Sequence, residues 1–276
     1  MTSIGNLAFN GCWSLAEVTI PSSVTSIGDV AFYGCENLSA FHVEEDNAYY
    51  CSQDGVLFDK NMTALMQYPA SKMGDAVYEI PQSVTTIAYG AFRLCRNLTE
   101  IIIPNSVTSI GNRAFEGCSS LTEIDIPEGV TSIGDYAFYG CENMKSVSIP
   151  NSVTSIGNFA FAYCMTLETI VSYAQIPPVC GNNTFQGVDK SKCIVRVALS
   201  KVDAYKAADT WGEFVNIQGD EALSIDGLYE ESSKVDIYNL QGRLLYHKAD
   251  IEEVKDALPK GIYLLRQGQR TIKVAF

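Results

Sequence analysis

The side chains that could do chemistry are nine cysteines, two histidines and many carboxylates. A thiol can be a nucleophile, a metal ligand or half of a disulfide. No two cysteines have the C-x-x-C spacing of redox or zinc motifs. Six cysteines instead share one position of a repeating pattern, next to Phe and Leu, which predicts a column of small, reduced core residues. They are Cys12, Cys35, Cys95, Cys118, Cys141 and Cys164.

Three further cysteines lie outside this column. Cys180 and Cys193 are the one pair that we would test for a disulfide, and Cys51 has no assigned role. The pairing is left open, because a spacing in sequence does not show whether two thiols meet in space.

Catalysis has little support in the sequence. A Ser-His-Asp or Cys-His arrangement would need His42 or His247, and neither has a local signature around it. A glycosidase would need two carboxylates facing each other across a cleft, a geometry that only the fold decides. Nucleotide-binding and EF-hand motifs are absent from the sequence. We therefore predict a non-enzymatic protein with no catalytic residue, no metal site and no cofactor.

Composition excludes several further classes. The 276 residues carry a formal net charge of −13, which argues against a protein that binds a nucleic-acid backbone through a basic face. With 47% hydrophobic residues the chain can build a substantial core, so wholesale disorder is excluded. Uninterrupted apolar stretches stay well below the length that spans a membrane.

The elements that must position these side chains come from an internal repeat. The pair Ala-Phe recurs with Ile five residues before Phe, Cys three residues after it, and Leu or Met six residues after it. Within two regular blocks, successive copies are 23 residues apart, at Phe9, Phe32, Phe92, Phe115, Phe138 and Phe161. This period is typical of leucine-rich repeats, in which each unit forms one coil of a solenoid.

One coil can be followed residue by residue. Ile124 and Ile126 alternate with acidic residues, which predicts a short strand that Pro127 ends. Residues 130–134 predict a second extended piece, and Asp135 stands where an N-cap would begin a single helical turn. The same position holds Asn6, Asp29, Asn112 and Asn158. We predict about seven coils. With parallel strands about 4.8 Å apart, these coils form a solenoid roughly 35 Å long.

The repeated motif resembles a known family. Residues 103–118 carry I-P-x-S-V-T-S-I-G-x-x-A-F-x-G-C almost in full, and this motif resembles the BspA-like leucine-rich repeats. The resemblance covers residues 1–170. It implies a bacterial surface or secreted protein, in some cases with an adhesive role. It transfers no catalytic residue, because that family has no defined active site.

One repeat is longer than the others. Phe32 and Phe92 are 60 residues apart instead of 46, and this irregular repeat occupies about residues 41–90. Within it, residues 56–58 and 64–66 predict a hairpin around a turn. The hairpin could protrude to bind a partner or could be an elaborated coil, and we favour the elaborated coil.

The period breaks after the last repeat, in residues 171–218. A strand over residues 193–197 and a short helix over residues 202–208 lead to Trp211 and Phe214. Because a solenoid needs a terminal unit to cover its last apolar face, we predict a cap with both aromatic residues in its core.

Residues 219–276 have a different character. A hairpin signal at 235–246 and two strands within 262–276 predict a small all-β, sandwich-like domain. Segments 238–243 and 258–263 resemble parts of the C-terminal β-sandwich sorting domains of Bacteroidetes secreted proteins. That resemblance implies export through an outer-membrane sorting route, or at least a small Ig-like tail.

Outward positions on successive strands predict the binding surface. They form a polar, acidic column centred on Glu100, Glu123 and Asp125, which Glu17 and His42 continue in the first repeats. The column has no aromatic stripe, which disfavours a carbohydrate platform, whereas a protein with a basic patch is compatible with it. Simple solvation of a sheet face explains the same residues without a ligand.

The predicted function is binding of an extracellular protein by a cell-surface or secreted solenoid, with no nucleic-acid partner. Adhesion to a host matrix or mucosal protein is what the family resemblance implies. A structural spacer for an upstream module, and less favourably a glycan-binding module, remain as alternatives. Because Met1 stands inside a repeat, with no signal peptide or capping coil before it, we expect a truncated chain.

Overall fold

The computed structural model describes residues 1–74, 76–220, 223, 234–240, 243–250, 254, 257–267 and 270–275. The strands are, in chain order, β1 Ser3–Ile4, β2 Glu17–Ile20, β3 Ser26–Ile27, β4 Ala40–Val43, β5 Tyr50–Gln53, β6 Val56–Asp59, β7 Ala64–Gln67, β8 Val77–Glu79, β9 Thr86–Ile87, β10 Glu100–Ile102, β11 Ser109–Ile110, β12 Glu123–Asp125, β13 Ser132–Ile133, β14 Ser146–Ile149, β15 Ser155–Ile156, β16 Thr169–Ser172, β17 Val179–Cys180, β18 Ile194–Ala198, β19 Asn216–Asp220, β20 Lys234–Asn239, β21 Leu244–Asp250, β22 Ile262–Gln267 and β23 Arg270–Ala275. Helix α1 is Val202–Ala207, between 3₁₀ turns at Leu199–Lys201 and Trp211–Glu213.

The chain forms a β-solenoid of about nine coils with parallel strands, which confirms the predicted fold class. Each coil contributes one longer strand to the side that we call the strand face: β2, β4, β8, β10, β12, β14, β16, β18 and β19. The estimate of about seven coils was too low, because the cap segment adds β18 and β19 in parallel register to β16.

A second side of each coil carries a two-residue strand. Strands β9, β11, β13, β15 and β17 pair in parallel in one sheet, and β1 pairs with β3. Every longer strand from β10 to β14 buries its central apolar residue and exposes or half-exposes the residues beside it. The alternation predicted from the sequence therefore places the core between these two sides.

The third side, which we call the turn face, contains the segments around each Ala-Phe pair. These segments are runs of hydrogen-bonded turns and not the predicted helical turns, because Tyr136 and its equivalents adopt positive φ values, 56° at Tyr136 itself. The phenylalanine rings are buried and stack on the rings of neighbouring coils, with centroids 5.0 Å apart for Phe115 and Phe138. Two aromatic stacks thus form the centre of the solenoid, one of Phe9 and Phe32 in the first coils and one from Tyr68 to Phe185 in the later coils.

The Asn and Asp residues predicted as N-caps have a different role. Asp135 Oδ1 accepts a hydrogen bond from the backbone N–H of Asn158 at 2.7 Å, and Asn158 Oδ1 accepts one from Asn182 N at 2.8 Å. The N-cap prediction was wrong, because each of these side chains accepts its hydrogen bond from a backbone N–H group of the next coil. A Cβ at Gly157 would come within 2.6 Å of Asp135 N, so the close approach of coils requires glycine there.

The cysteine column is confirmed as reduced and mostly buried. The Sγ–H of Cys118 donates to Phe92 O at 3.0 Å, and that of Cys141 donates to Phe115 O at 3.3 Å. Burial raises the pKa of Cys118 to about 12, which makes this thiol unreactive near neutral pH. Cys12, at the first coil, is exposed, unlike the other five. All nine cysteines, including Cys180 and Cys193, are free thiols.

The irregular repeat contains the predicted hairpin. Strands β6 and β7 are antiparallel, β5 adds a third strand that was not predicted, and β7 continues in parallel into β9. Val56, Phe58 and Leu65 are fully buried. The hairpin is therefore part of the solenoid wall, as the elaborated-coil interpretation requires. Tyr68 takes the place of a repeat phenylalanine, since its ring stacks on Phe92 at 5.4 Å.

The segment after the last repeat covers the end of the stack. Trp211 and Phe214 are buried as predicted, and both rings contact Phe185 at centroid distances of 5.3 and 5.2 Å. Trp211 Nε1 donates to Pro178 O at 2.8 Å, which satisfies its buried donor.

The C-terminal segment forms an antiparallel sheet in the order β21-β20-β22-β23. The predicted hairpin is the β20–β21 pair. The strands described in this segment form one layer. Residues 241–242, where the sequence predicts the turn of the hairpin, and most of 251–256 lie outside the described residues.

Candidate functional site: the strand face and the turn face

Three of the predicted binding residues meet on the strand face. Glu100, Glu123 and Asp125 project from β10 and β12 with exposed side chains, because the residues between them point into the core. Together with Ile102 and Tyr173 they line one open groove of about 420 Å³. The predicted acidic centre is thus a continuous surface in the fold.

The other two predicted residues lie elsewhere on this face. Glu17 on β2 and His42 on β4 are exposed, and His42 Nε2 lies 3.3 Å from Glu17 Oε2. Neither residue lines the groove. The irregular repeat separates their coils from those of Glu100 and Glu123, so the predicted set of five divides into a groove of three and a separate pair.

The groove combines negative charge with apolar surface. The side chain of Ile102 is 41% exposed, which is unusual for isoleucine in a strand. Burial and the nearby carboxylates of Asp125, Glu128 and Asp220 raise the pKa of Tyr173 to about 12. Such a surface can contact a basic partner through its carboxylates and an apolar partner side chain through Ile102.

The turn face contains a cluster that the sequence analysis missed. The guanidinium of Arg93 lies 3.7 Å from the centre of the Tyr33 ring, and that of Arg113 lies 4.2 Å from the Tyr136 ring. The carboxylate of Glu116 lies between the two arginines, 3.3 Å from Arg93 Nε and 2.8 Å from an Arg113 nitrogen. This ion pairing raises the pKa of Arg113, against the opposing effect of its partial burial.

Aromatic rings extend the cluster along later coils. Tyr136 stacks on Phe159 at 5.0 Å, and Tyr139 meets Tyr163 edge-to-face at 5.2 Å. These rings occupy the variable positions that flank each Ala-Phe pair. The signal in the sequence was the change at these positions from Asn, Gly and Leu in the first repeat to Tyr, Phe and Arg in later ones.

Other chemistry has no support in the described residues. Within these ranges, no group of three His, Cys, Asp or Glu side chains could hold a metal ion. In the same part of the chain, no helix is both long and apolar enough to cross a membrane.

Comparison with family models decides the relationship. The model of the BspA-type leucine-rich repeat region matches in six copies, over residues 1–56 and 76–192. The chain belongs to this family. The gap between the matched ranges, residues 57–75, lies in the middle of the irregular repeat, where the spacing of the motif changes. Among curated proteins, none matches the chain significantly.

Solved structures of other repeat proteins are similar to this BspA-type chain. A leucine-rich cell surface protein from Faecalibacterium prausnitzii is 34% identical over 62% of this chain and 51% of its own, with a TM-score of 0.52. A leucine-rich repeat protein from Eubacterium ventriosum is 32% identical over 72% of this chain and 45% of its own, with a TM-score of 0.50.

A third similar structure shows the fold alone. The pneumococcal vaccine antigen PcpA is 24% identical over 80% of this chain and 60% of its own, with a TM-score of 0.60. The chain therefore spans about half of the first two structures and somewhat more of the third. The activities of those whole proteins are not transferred to this chain.

Proposed function

We propose that this chain is a non-enzymatic, cell-surface or secreted solenoid that binds another protein through the groove on its strand face. The proposal depends on one observation: Glu100, Glu123 and Asp125 line a single open groove together with the exposed Ile102. The name of the F. prausnitzii relative, a cell surface protein, supports the location. Adhesion to a host matrix or mucosal protein is the biological role that we propose.

The chemistry of the groove indicates the kind of partner. Exposed carboxylates attract a basic patch and speed its association, while adding little affinity after docking. Affinity comes mainly from apolar and aromatic contacts near the centre of an interface. Ile102 and Tyr173 provide such contacts beside the carboxylates. The expected partner therefore presents Lys or Arg residues around an apolar side chain.

The test is binding of the purified, reduced chain to a panel of immobilised matrix and mucosal proteins at two salt concentrations. We expect saturable binding to at least one protein, weaker at higher salt. Replacing Glu100, Glu123 and Asp125 by Lys should weaken that binding by at least about tenfold, since each replacement converts an attraction into a repulsion.

A matched control changes the net charge by the same amount elsewhere. Glu45, Glu142 and Asp203 are exposed acidic residues outside the groove, and their replacement by Lys should leave binding within about twofold of wild type. Equal loss in both triple variants would contradict a groove-specific contact. A panel without any binding would favour the structural spacer.

Glycan binding is the second candidate, and the turn face is the observation that favours it. Tyr136, Tyr139, Phe159 and Tyr163 are half-buried aromatic residues in neighbouring coils. A sugar ring can pack on such side chains through its apolar face. An array of immobilised glycans tests this candidate, and binding lost in Tyr139→Ala and Tyr163→Ala but kept in the lysine triple variant would support it.

We propose in addition that residues 219–276 act as a sorting segment of the Bacteroidetes type. The antiparallel sheet of β20–β23 and the two motif segments named above support this role. Fusing residues 219–276 to an exported reporter should deliver the reporter to the surface of a host cell with this sorting route. Retention of the fusion in the periplasm would contradict the proposal.

A further inference from the structure

The strand-face groove has one lining residue that does not belong to the solenoid. Leu240, directly after β20, lines it together with Ile102, Tyr173 and the acidic residues of β10 and β12. The side chain of Leu240 is 45% exposed, so it lies at the edge of the groove and covers only part of it. The C-terminal sheet therefore reaches the surface that we propose to bind a partner protein.

Leu240 belongs to the end of the β20–β21 hairpin that is farthest from the chain termini of its two strands. Tyr238 pairs with Leu244 across the hairpin, and Asn239 N donates a hydrogen bond to Arg243 O at 3.0 Å. The N–H of Arg243 in turn donates to Asn239 Oδ1 at 2.8 Å. These bonds hold Asn239 and Arg243 together, so the hairpin presents Leu240 and the exposed Arg243 at the same end, which we call the hairpin tip.

The hairpin tip and the groove have complementary chemistry. Residues 1–170 contain 18 acidic and six basic residues, whereas residues 234–276 contain five acidic and eight basic ones. Arg243 is the basic residue nearest to Leu240 in the chain. The groove offers the exposed Ile102 and three carboxylates. An apolar side chain beside a basic one is the chemistry that we expect of a partner for this groove.

The path of the chain allows this contact within one molecule. The last strand of the solenoid, β19, belongs to the strand face, so the chain leaves the solenoid on the side that carries the groove. Strands β12 and β19 are four steps apart in one sheet, which is about 19 Å at about 4.8 Å per step. Residues 221–233, which connect β19 to β20, can span at most about 45 Å. The hairpin can therefore reach the groove of its own chain.

We infer that the β20–β21 hairpin is an internal ligand of the strand-face groove, with Leu240 against Ile102 and Arg243 near the carboxylates, and that it competes there with the partner protein. The inference rests on the proposed protein-binding function and adds its regulation, because the partner must displace the hairpin. A tethered segment has an effective concentration in the range of about 1 mM, so even a weak contact occupies the groove for part of the time.

The partial cover of the groove suits such a competition. Glu100, Glu123 and Asp125 stay exposed beside Leu240, so a basic partner can begin to bind before the hairpin leaves. A site that is free for only a fraction of the time binds its ligand with an affinity reduced by that fraction. Displacing the hairpin should therefore tighten the binding of an external protein, although the residues of the groove do not change.

The first test is disulfide trapping in the full chain. Leu240→Cys combined with Ile102→Cys places one thiol on each side of the contact, at two exposed positions where folding is not at risk. Mild oxidation should link the two thiols within one chain, as detected by mass spectrometry of tryptic peptides. Leu240→Cys combined with Thr19→Cys, an exposed position on β2 outside the groove, is the matched control and should link at least about tenfold more slowly.

A link that forms as slowly as the control overturns the inference. So does a link that joins two chains and increases with protein concentration. Arg243→Glu reverses the charge at the hairpin tip and should slow the trapping by at least about threefold. Lys260→Glu makes the same change of net charge at an exposed position outside the hairpin and should leave the rate within about 1.5-fold. Equal rates in these two variants overturn the contact of Arg243 with the groove.

The second test measures the competition with a partner. Leu240→Asp places a carboxylate opposite the carboxylates of the groove and should release the hairpin. We expect this variant to bind the protein found in the panel at least about threefold more tightly than wild type. Leu245→Asp makes the same change of charge at an exposed position of β21 that does not line the groove, and should bind like wild type. Unchanged or weaker binding by Leu240→Asp overturns the competition.

The outcomes separate this inference from the proposed function. Trapping of Leu240→Cys with Ile102→Cys, when neither wild type nor Leu240→Asp binds a protein of the panel, supports the internal ligand and contradicts the proposed function. Binding of a panel protein that depends on Glu100 and Glu123, combined with no trapping, supports the proposed function and overturns the internal ligand.

Discussion

The same coils form the strand face and the turn face, but the side chains of the two faces have opposite roles. On the strand face, Glu100, Glu123 and Asp125 extend into solvent. On the turn face, phenylalanine rings, thiols, and Asn and Asp side chains connect each coil to the next. The solenoid therefore has most of its side-chain contacts between coils on the turn face. Residues of the strand face can change with little effect on stability.

Removing one ring from the aromatic stack should have the largest effect on stability. Phe138 is fully buried and stacks on Phe115 and Phe161 at 5.0 and 5.1 Å. We expect Phe138→Ala to lower the free energy of unfolding by about 3–5 kcal/mol, measured by urea denaturation. Glu123→Ala, the strand-face control, should change it by less than about 0.5 kcal/mol. Similar losses in both variants would remove the contrast between the faces.

Alkaline pH should lower the free energy of unfolding through the buried thiols of the turn face. The folded pKa of Cys118 is about 12, above its ordinary value of 9.0, because burial disfavours the thiolate. Stability is then independent of this thiol below about pH 9 and falls above it, as the unfolded chain loses a proton that the folded chain keeps. By about pH 11 the loss should reach about 3 kcal/mol for such a thiol.

Urea denaturation at about pH 8 and about pH 11 measures this loss. The variant Cys118→Ala removes one titrating group and should therefore lose less stability over the same interval than wild type. If wild type and variant lose the same amount, the thiols are not the cause.

The Arg–Glu–Arg group of Arg93, Glu116 and Arg113 should contribute less than the ring stack but more than any strand-face charge. The side chain of Glu116 is 11% exposed and contacts both Arg93 and Arg113. We expect Glu116→Gln to cost about 1–3 kcal/mol in unfolding free energy, since it leaves two half-buried guanidiniums with one less charge partner. Glu123→Gln should cost less than about 0.5 kcal/mol. If Glu116→Gln lowers the unfolding free energy by less than about 0.5 kcal/mol, this group contributes no more than ordinary surface charges.

The ladder of Asn and Asp side chains should show the smallest measurable effect. Asn158 accepts a hydrogen bond from Asn182 N and donates one to Asp135 Oδ1 at 3.1 Å. We expect Asn158→Ala to cost about 1 kcal/mol, the usual net value of such bonds. Ser155→Ala, at an exposed position three residues earlier, should be neutral within about 0.5 kcal/mol by thermal unfolding. An equal change in both would mean that the ladder adds no stability.

Much of the candidate site could be predicted because a repeat converts sequence spacing into spatial proximity. Glu100 and Glu123 are 23 residues apart and occupy the same position in adjacent coils, so their meeting in one groove followed from the period. Glu17 and His42 broke this rule because the irregular repeat lies between them and the groove. The predicted binding role of all five residues stays a prediction.

The contact of Tyr33 with Arg93 on the turn face could not be predicted, because it crosses the irregular repeat. The two residues are 60 apart, and they meet because Tyr68 follows Leu65 by three residues in the intervening coil, whereas Phe92 follows Ile87 by five. The sequence showed extra residues there but not which of the three sides of the coil would lose length. Whether a Tyr or an Arg faces solvent or a neighbouring coil depended on that choice.

The sequence by itself determined the solenoid, because a 23-residue pattern of Ile, Phe, Cys and Leu can bury its apolar side chains only by stacking coils. It also determined the hairpin and the outward acidic column, which follow from local alternation, and the aromatic cap residues, which follow from the end of the repeat. Only the tertiary structure decided the partners of Asp135 and Asn158, the number of coils, and the contact of Arg93 with Tyr33. These features depend on contacts between coils, and the atoms involved are neighbours in space without being neighbours in the chain.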